Sequence, residues 1–252
     1  MKQNLNKYYQ SIFLSQFNPI TIFHSLLQLI GHLYINIKNA KGFPDFLNFK
    51  SEINYSLPFT GEWKTLIGGS TKENSHSWHI LTQRYAYDFL IIDENGSTFK
   101  NEGKNLDDYY CYKKEVLSPA EGVVVKVQDV VEDYKGVGDY SIDWKTRDFR
   151  GNFVTIQHAK EEYSFLAHFK KGSIKVKTGD EVKQGQLLGL CGNSGHATEP
   201  HIHFHLQDHR NFWLGTGLPI RFSKVSRKLK EKSITKINSP IEKDEIVKNI
   251  EF

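Results

Sequence analysis

Residues 201–207, HIHFHLQ, alternate polar and apolar side chains without a break. Strict period-2 alternation is the pattern of a β-strand whose two faces differ. His201, His203 and His205 therefore share one face, while Ile202, Phe204 and Leu206 share the other and point toward a core. Three crowded imidazoles suit neither a surface nor an apolar interior. They do suit a metal, because neutral imidazole is the commonest protein metal ligand.

The surrounding chain carries the same β signal. Runs at 85–92, 122–131, 151–159, 162–169 and 186–192 are short and rich in β-branched or aromatic residues, with Gly, Asp, Asn or Pro between them. Residues 56–225 accordingly read as a mainly β domain, a small antiparallel sheet or sandwich. Polar insertions at 93–115 and 132–149 are long enough to cover a cleft, and Tyr110, Tyr112, Trp144 and Phe149 are candidates for lining it.

Residues 1–55 read differently. Phe23, Leu26, Leu27, Ile30, Leu33 and Ile37 recur at helical spacing, and no Asp, Glu, Lys or Arg lies between Pro19 and Lys38. The stretch is just long enough to span a bilayer, but Thr21, His24, Ser25, Gln28, His32 and Asn36 would make a span costly. The expectation is a helix lying on the domain or on a membrane, with peripheral membrane contact through residues 20–37. No small-residue cleavage site follows the apolar part, so it does not read as a signal peptide. The Lys-rich segment 226–252 is weakly patterned and is expected to be a solvated tail.

Composition removes several function classes. A formal charge of +4 over 252 residues is too small an excess to argue for a nucleic-acid partner. Cys111 and Cys191 form neither a CxxC pair nor zinc-ribbon spacing, and whether they pair is open. There is no Walker A loop, no GxGxxG after a strand and no GxSxG elbow.

Three further segments bear chemistry. His168 ends the alternating run YSFLAHF. The stretch SIKVKTGDEVKQGQLLGLCGNSG is hairpin-rich, with a turn at Gly179-Asp180 and tight corners at Gly185 and Gly189. The segment ENSHSWHILTQRYAYDF holds His76, His79 and Asp88, and Asp88 is a lone acid in an apolar strand, expensive unless paired or bound to a cation.

At these residues the sequence resembles the lysostaphin-type zinc metallopeptidases of peptidase family M23. An Ala-His pair, a Val-x-x-Gly-Asp-x-Val-x-x-Gly hairpin, a Gly-Asn-Ser-Gly loop and Pro-His-x-His-Phe occur in order. The resemblance runs from about Leu57 to Phe222. It implies one zinc per chain, with His203 and Asp88 as ligands and His201 and His168 as catalytic imidazoles. It also implies an antiparallel sheet with a grooved metal site.

One departure matters. The family's usual His-x-x-x-Asp places a ligand histidine four residues before the acid, where this chain has Arg84, which cannot ligate a metal. NSHSW resembles a variant branch whose ligand lies earlier on a loop, which selects His76, with His79 as runner-up. His205 shares the histidine face, either as a group that supports a ligand from behind or, the favoured reading, as a polar residue further along the strand; His158 is expected to lie on an exposed strand, and His196 to border the cleft.

The resulting expectation is a zinc endopeptidase acting on peptidoglycan stem peptides or cross-bridges, in the cell envelope or outside the cell. The alternative is a noncatalytic module that keeps the groove and binds cell wall or a partner hydrolase. A carrier domain also has hairpins like VKTGDEVKQGQLLG, but a biotinyl or lipoyl carrier needs a modified lysine in a setting such as Met-Lys-Met, and this chain has only Met1.

Overall fold

A computed structural model describes residues 5–229 and 232–250. Two helices open the chain, α1 (Leu5–Ser15) and α2 (Pro19–Lys38). Thirteen strands follow: β1 (Trp63–Ile67), β2 (Tyr87–Leu90), β3 (Glu115–Leu117), β4 (Gly122–Gln128), β5 (Asn152–Ala159), β6 (Glu162–Phe169), β7 (Glu181–Val182), β8 (Leu187–Leu190), β9 (Ile202–Gln207), β10 (Gly217–Leu218), β11 (Phe222–Leu229), β12 (Lys232–Ser239) and β13 (Ile246–Asn249). A 3₁₀ turn at Leu106–Asp108 lies in the first insertion. The mainly β, antiparallel class is as expected, but the sheet is not small. Eleven strands join in the order β12-β11-β13-β1-β2-β9-β6-β5-β4-β7, with β10 paired to β9, and β3 and β8 form a separate pair.

The histidine strand β9 sits mid-sheet between β2 and β6. Ile202, Phe204 and Leu206 are at most 1% exposed and join Phe89, Leu166, Phe222 and Val154 in the main core. Burying Phe204 alone is worth roughly 3–5 kcal/mol against alanine. Register places Asp88 of β2 directly opposite His203, and Ala167 of β6 opposite the same residue. Strand pairing thus fixes a carboxylate beside the central imidazole before any loop contributes.

The C-terminal segment is not the solvated tail its lysines suggest. β13 inserts between β11 and β1, and Ile241 and Val247 are fully buried. Arg227 ties the segment together, with Nε donating to Glu245 Oε2 at 2.8 Å and Nη1 to the Pro240 carbonyl at 2.8 Å. Asn249 bonds the backbone of Leu57 and Phe59, closing the sheet onto the start of the β domain. Alternate apolar side chains satisfy the core while the lysines stay on the wet face and on the edge strand β12.

Helix α2 begins as its sequence dictates. Asn18 caps it by accepting from the Ile20 amide at 2.9 Å, and Pro19 fills the first helical position. Its orientation is the opposite of the usual one. Thr21, His24, Gly31 and Ile35 face the β domain, while Leu26, Ile30, Leu33 and Ile37 are more than half exposed. His24 and His32 do lie on the polar face, and that face is the one that packs.

Candidate active site

Loop 68–86 carries His76 to the mouth of the sheet. The Ser75 hydroxyl donates to the Arg84 carbonyl at 2.7 Å, and the Ser75 amide donates to the Thr71 carbonyl at 2.9 Å. Arg84 turns away from the site. Its guanidinium stacks between the rings of Phe43 and Trp78, 4.6 and 4.9 Å from their centroids. His79 is exposed and takes no part. The structure therefore brings together His76, Asp88 and His203, whose donor atoms all lie within 4.8 Å of one another. His76 Nε2 is 3.1 Å from one Asp88 oxygen, and His203 Nδ1 is 2.9 Å from the other.

The tautomer of His203 follows from its neighbours. Gln207 Nε2 donates to the His209 carbonyl at 2.5 Å, which turns Oε1 toward His205. His205 Nε2 donates to that oxygen at 2.9 Å, so its Nδ1 is bare and accepts from His203 Nε2 at 3.0 Å. His203 Nδ1 lies at hydrogen-bonding distance, 2.9 Å, from an Asp88 carboxylate oxygen. A proton on Nδ1 or a metal ion shared by the two groups satisfies that contact. Burial holds the His203 pKa below its ordinary value, with the hydrogen bond and charge of Asp88 acting in the opposite direction. Two imidazole nitrogens and one carboxylate oxygen are the donor set of a catalytic zinc site, whose ligands sit about 2.0–2.2 Å from the ion. These residues fit that ion.

The expectation for His205 is thereby corrected. It is fully buried and stacks on Phe165, with ring centroids 5.0 Å apart, and it orients the central imidazole. The signal was present in the sequence, since unbroken alternation puts residues 201, 203, 205 and 207 on one face.

Electrostatics sharpen the cluster. Burial alone would raise the Asp88 pKa, but His76, His201 and the His203 hydrogen bond hold it well below the ordinary carboxylate range. Burial would likewise depress His76, and Asp88 reverses this, leaving the imidazole above its usual pKa.

Two more imidazoles flank the cluster. His201 Nδ1 donates to the Glu199 carbonyl at 2.8 Å, leaving Nε2 bare, 3.7 Å from Asp88. His168 Nδ1 donates to the Ser194 carbonyl at 2.7 Å. Its backbone sits at φ +65°, an uncommon region for a non-glycine residue, and its amide plane is tied down by the Gly192 amide bonding its carbonyl at 2.9 Å. The two rings lie 4.6 Å apart, and burial followed by the neighbouring imidazoles holds His168 far below the usual histidine pKa.

A cleft of about 410 Å³ opens over these residues. Phe149, Phe165 and Phe212 line it, with Arg150 and His196. Of the four aromatics proposed from the insertions, Phe149 lines the cleft and Tyr110, Tyr112 and Trp144 do not. Tyr8 and Ile12 of α1 and Gln28 of α2 form part of its wall. His158 is not on an exposed strand face. It bonds the Glu121 carbonyl and the Ser164 hydroxyl at 2.7 and 2.8 Å. Ser194 is structural, accepting from the Asn152 amide and donating to the Phe169 carbonyl. Cys111 and Cys191 are buried free thiols.

The mainly β domain thus carries, under a cleft, a His-Asp-His cluster whose donor atoms are close enough to hold one metal ion. The model of peptidase family M23 matches residues 104–212, a little under half of the chain. The matched stretch holds His168, His201 and His203, while His76 and Asp88 lie upstream of it. Peptidoglycan DD-endopeptidase ShyA of Vibrio cholerae is 43% identical over 58 residues, 23% of this chain and 13% of that protein. Endolysin 2638A of Staphylococcus phage 2638A is 39% identical over 136 residues, 52% of this chain and 26% of that protein. The chain thus spans at most about a quarter of the length of these relatives. The solved catalytic domain of the antimicrobial peptidase lysostaphin from Staphylococcus simulans is 18% identical with a TM-score of 0.32, over 68% of this chain and 90% of that one.

Proposed function

We propose that this chain is a zinc endopeptidase that hydrolyses peptide bonds of peptidoglycan stem peptides or cross-bridges in the cell envelope. The observation that carries the reading is the convergence of His76, Asp88 and His203, whose donor atoms all lie within 4.8 Å of one another beneath the cleft. His76, Asp88 and His203 would hold the ion. Zinc supplies an acidified water as nucleophile at neutral pH and polarises the scissile carbonyl. The chain's own groups do the rest. His201, pinned through Nδ1, presents a bare Nε2 that takes a proton at the cleft floor. His168, held neutral by burial and pinned the same way, presents its own Nε2 within reach of the His201 ring. The two imidazoles share the task of receiving a proton and returning it to the leaving amine. Phe149, Phe165 and Phe212 make one wall apolar and orient the substrate chain. The peptidoglycan substrate rests on the kinship with ShyA and the phage endolysin.

The test is release of new amino groups from purified peptidoglycan, with and without a zinc chelator, beside His201→Ala. Chelator-sensitive release, at least about 10²-fold lower in the variant while zinc content is kept, is the expected result. Wall binding without release by the parent would instead favour a noncatalytic module, the reading that Arg84 in the usual ligand position suggests.

A further inference from the structure

The N-terminal helices expose what a soluble domain buries. Nineteen large hydrophobic side chains are exposed among the described residues, and thirteen of them lie between Leu5 and Lys38, so the exposure belongs to one module. On α2 the stripe Phe23, Leu26, Leu29, Ile30, Leu33 and Ile37 is 54–69% exposed. Six such side chains show on the order of 600 Å² of apolar surface, the upper end of what monomers leave bare.

The opposite face is bolted down. A Cβ on Gly31 would stand 1.9 Å from the Trp213 carbonyl oxygen, so helix and domain touch at backbone distance. Asn18 donates to the Trp144 and Thr146 carbonyls at 3.2 and 3.0 Å, Asn39 to Thr216 Oγ1 at 2.9 Å, and Lys38 pairs with Asp208 at 2.8 Å. A helix seated in this way cannot turn its apolar stripe inward, and it cannot cross a bilayer while it remains seated. It can lie flat on one.

We infer that α2 docks this protein on the surface of an anionic lipid bilayer, its Phe23–Ile37 stripe in the acyl boundary and its polar face on the β domain. Charge selects this occupant. Residues 1–44 contain four lysines and no acid, and two of these lysines pair with acids of the β domain, Lys7 with Asp139 and Lys38 with Asp208. At the capped end of α2, the segment held by Asn18 exposes Lys145 and Arg147, with Trp144 beneath the Lys145 ammonium at 4.7 Å. Lys41 is exposed past the other end. An apolar stripe between two basic, partly aromatic rims is the signature of an interfacial helix. A two-fold dimer through the same stripe would set those cations near their own copies with no acid from residues 1–44 to pair them. Because Gln28 of α2 also walls the cleft, docking would hold the cleft about one helix diameter, roughly 10–12 Å, from the lipid. The inference stands whether or not the cleft is catalytic.

The experiment is flotation of the full chain with vesicles of phosphatidylcholine alone and of phosphatidylcholine with phosphatidylglycerol in equal parts. The parent is expected to float with the anionic vesicles and to detach as salt rises. A Leu26→Glu/Ile30→Glu/Leu33→Glu variant, changed only at exposed positions, should lose at least about tenfold in vesicle affinity. Val130→Glu, exposed elsewhere on the β domain, should float like the parent. A parent that stays in solution with both vesicles overturns the inference, and if it runs as a dimer that the triple variant splits, the stripe belongs to a second copy. Equal flotation of the triple variant overturns it too.

Discussion

Strand β9 and helix α2 are both two-faced, and they are used in opposite ways. In β9 the apolar face enters the core, and the polar face is buried as well, each imidazole wired to a named partner. In α2 the polar face is buried and the apolar face is left out. Periodicity therefore states that an element has two faces, not which one turns inward. The partner surface decides. Around β9 the sheet supplies a carboxylate and a glutamine, so burying polar atoms costs little. Under α2 the domain supplies Trp213, Phe149 and backbone carbonyls, which accept small and polar side chains at close approach. His24 stacks there at 5.3 Å from Trp213 and 5.5 Å from Phe149.

The largest expected effect breaks the wired face. Asp88→Ala removes the carboxylate shared by His76 and His203, and should abolish zinc retention and lower turnover by at least about 10³-fold. Metal analysis beside an activity assay checks it, and zinc held at the parent level would refute the assignment. His79→Ala, exposed and outside the cluster, should change neither readout.

A smaller effect is expected one step out. His205→Ala unpins His203 Nε2 and should weaken zinc affinity about 10–100-fold without removing a ligand. Chelator competition measures this. A variant indistinguishable from the parent would mean that packing on Phe165, not the hydrogen bond, orients the strand face.

On the helix the contrast is between two substitutions of similar chemistry. Gly31→Ala should cost about 1–3 kcal/mol, because the new methyl collides with the Trp213 carbonyl. Leu33→Gln, 64% exposed, should stay within about 0.5 kcal/mol in water. Denaturant midpoints decide between them. If the order reverses, the seating of α2 described above is wrong.

A separate effect is the acid dependence of stability. Burial holds His158 and His196 near pKa 4, against an ordinary 6.5. Between those values the unfolded chain binds more protons than the folded one, so this stability is complete above about pH 6.5 and is lost as pH falls toward 4. Thermal melts across that window should show the decline, and His158→Gln should flatten part of it.

The β domain was legible because alternation and turn residues act over a few positions. Six of the thirteen strands among the described residues, β2, β4, β5, β6, β8 and β9, fall within the runs expected at 85–92, 122–131, 151–159, 162–169, 186–192 and 201–207. Asp88 was legible as a lone acid in an apolar strand. The choice of His76 over His79 came from the resemblance of NSHSW and not from any local pattern, because a loop's path depends on contacts such as Ser75 to Arg84. The C-terminal strands were hidden for another reason. Lysines fill the wet face of β11 to β13 and dilute the alternation that Val225, Ile241 and Val247 continue underneath.

Arg84, stacked outside the cluster, has a consequence for how a metal ion held there would enter and leave. Two of the three proposed ligands ride on paired strands in the middle of a large sheet, and the third rides on loop 68–86. Exchange of the ion would then be clocked by the swinging of that one loop, on the timescale of local opening rather than of global unfolding. The sheet would act as a fixed jaw and the loop as a latch, so the residence time of the ion could be tuned by the loop's anchors while the strands remain untouched.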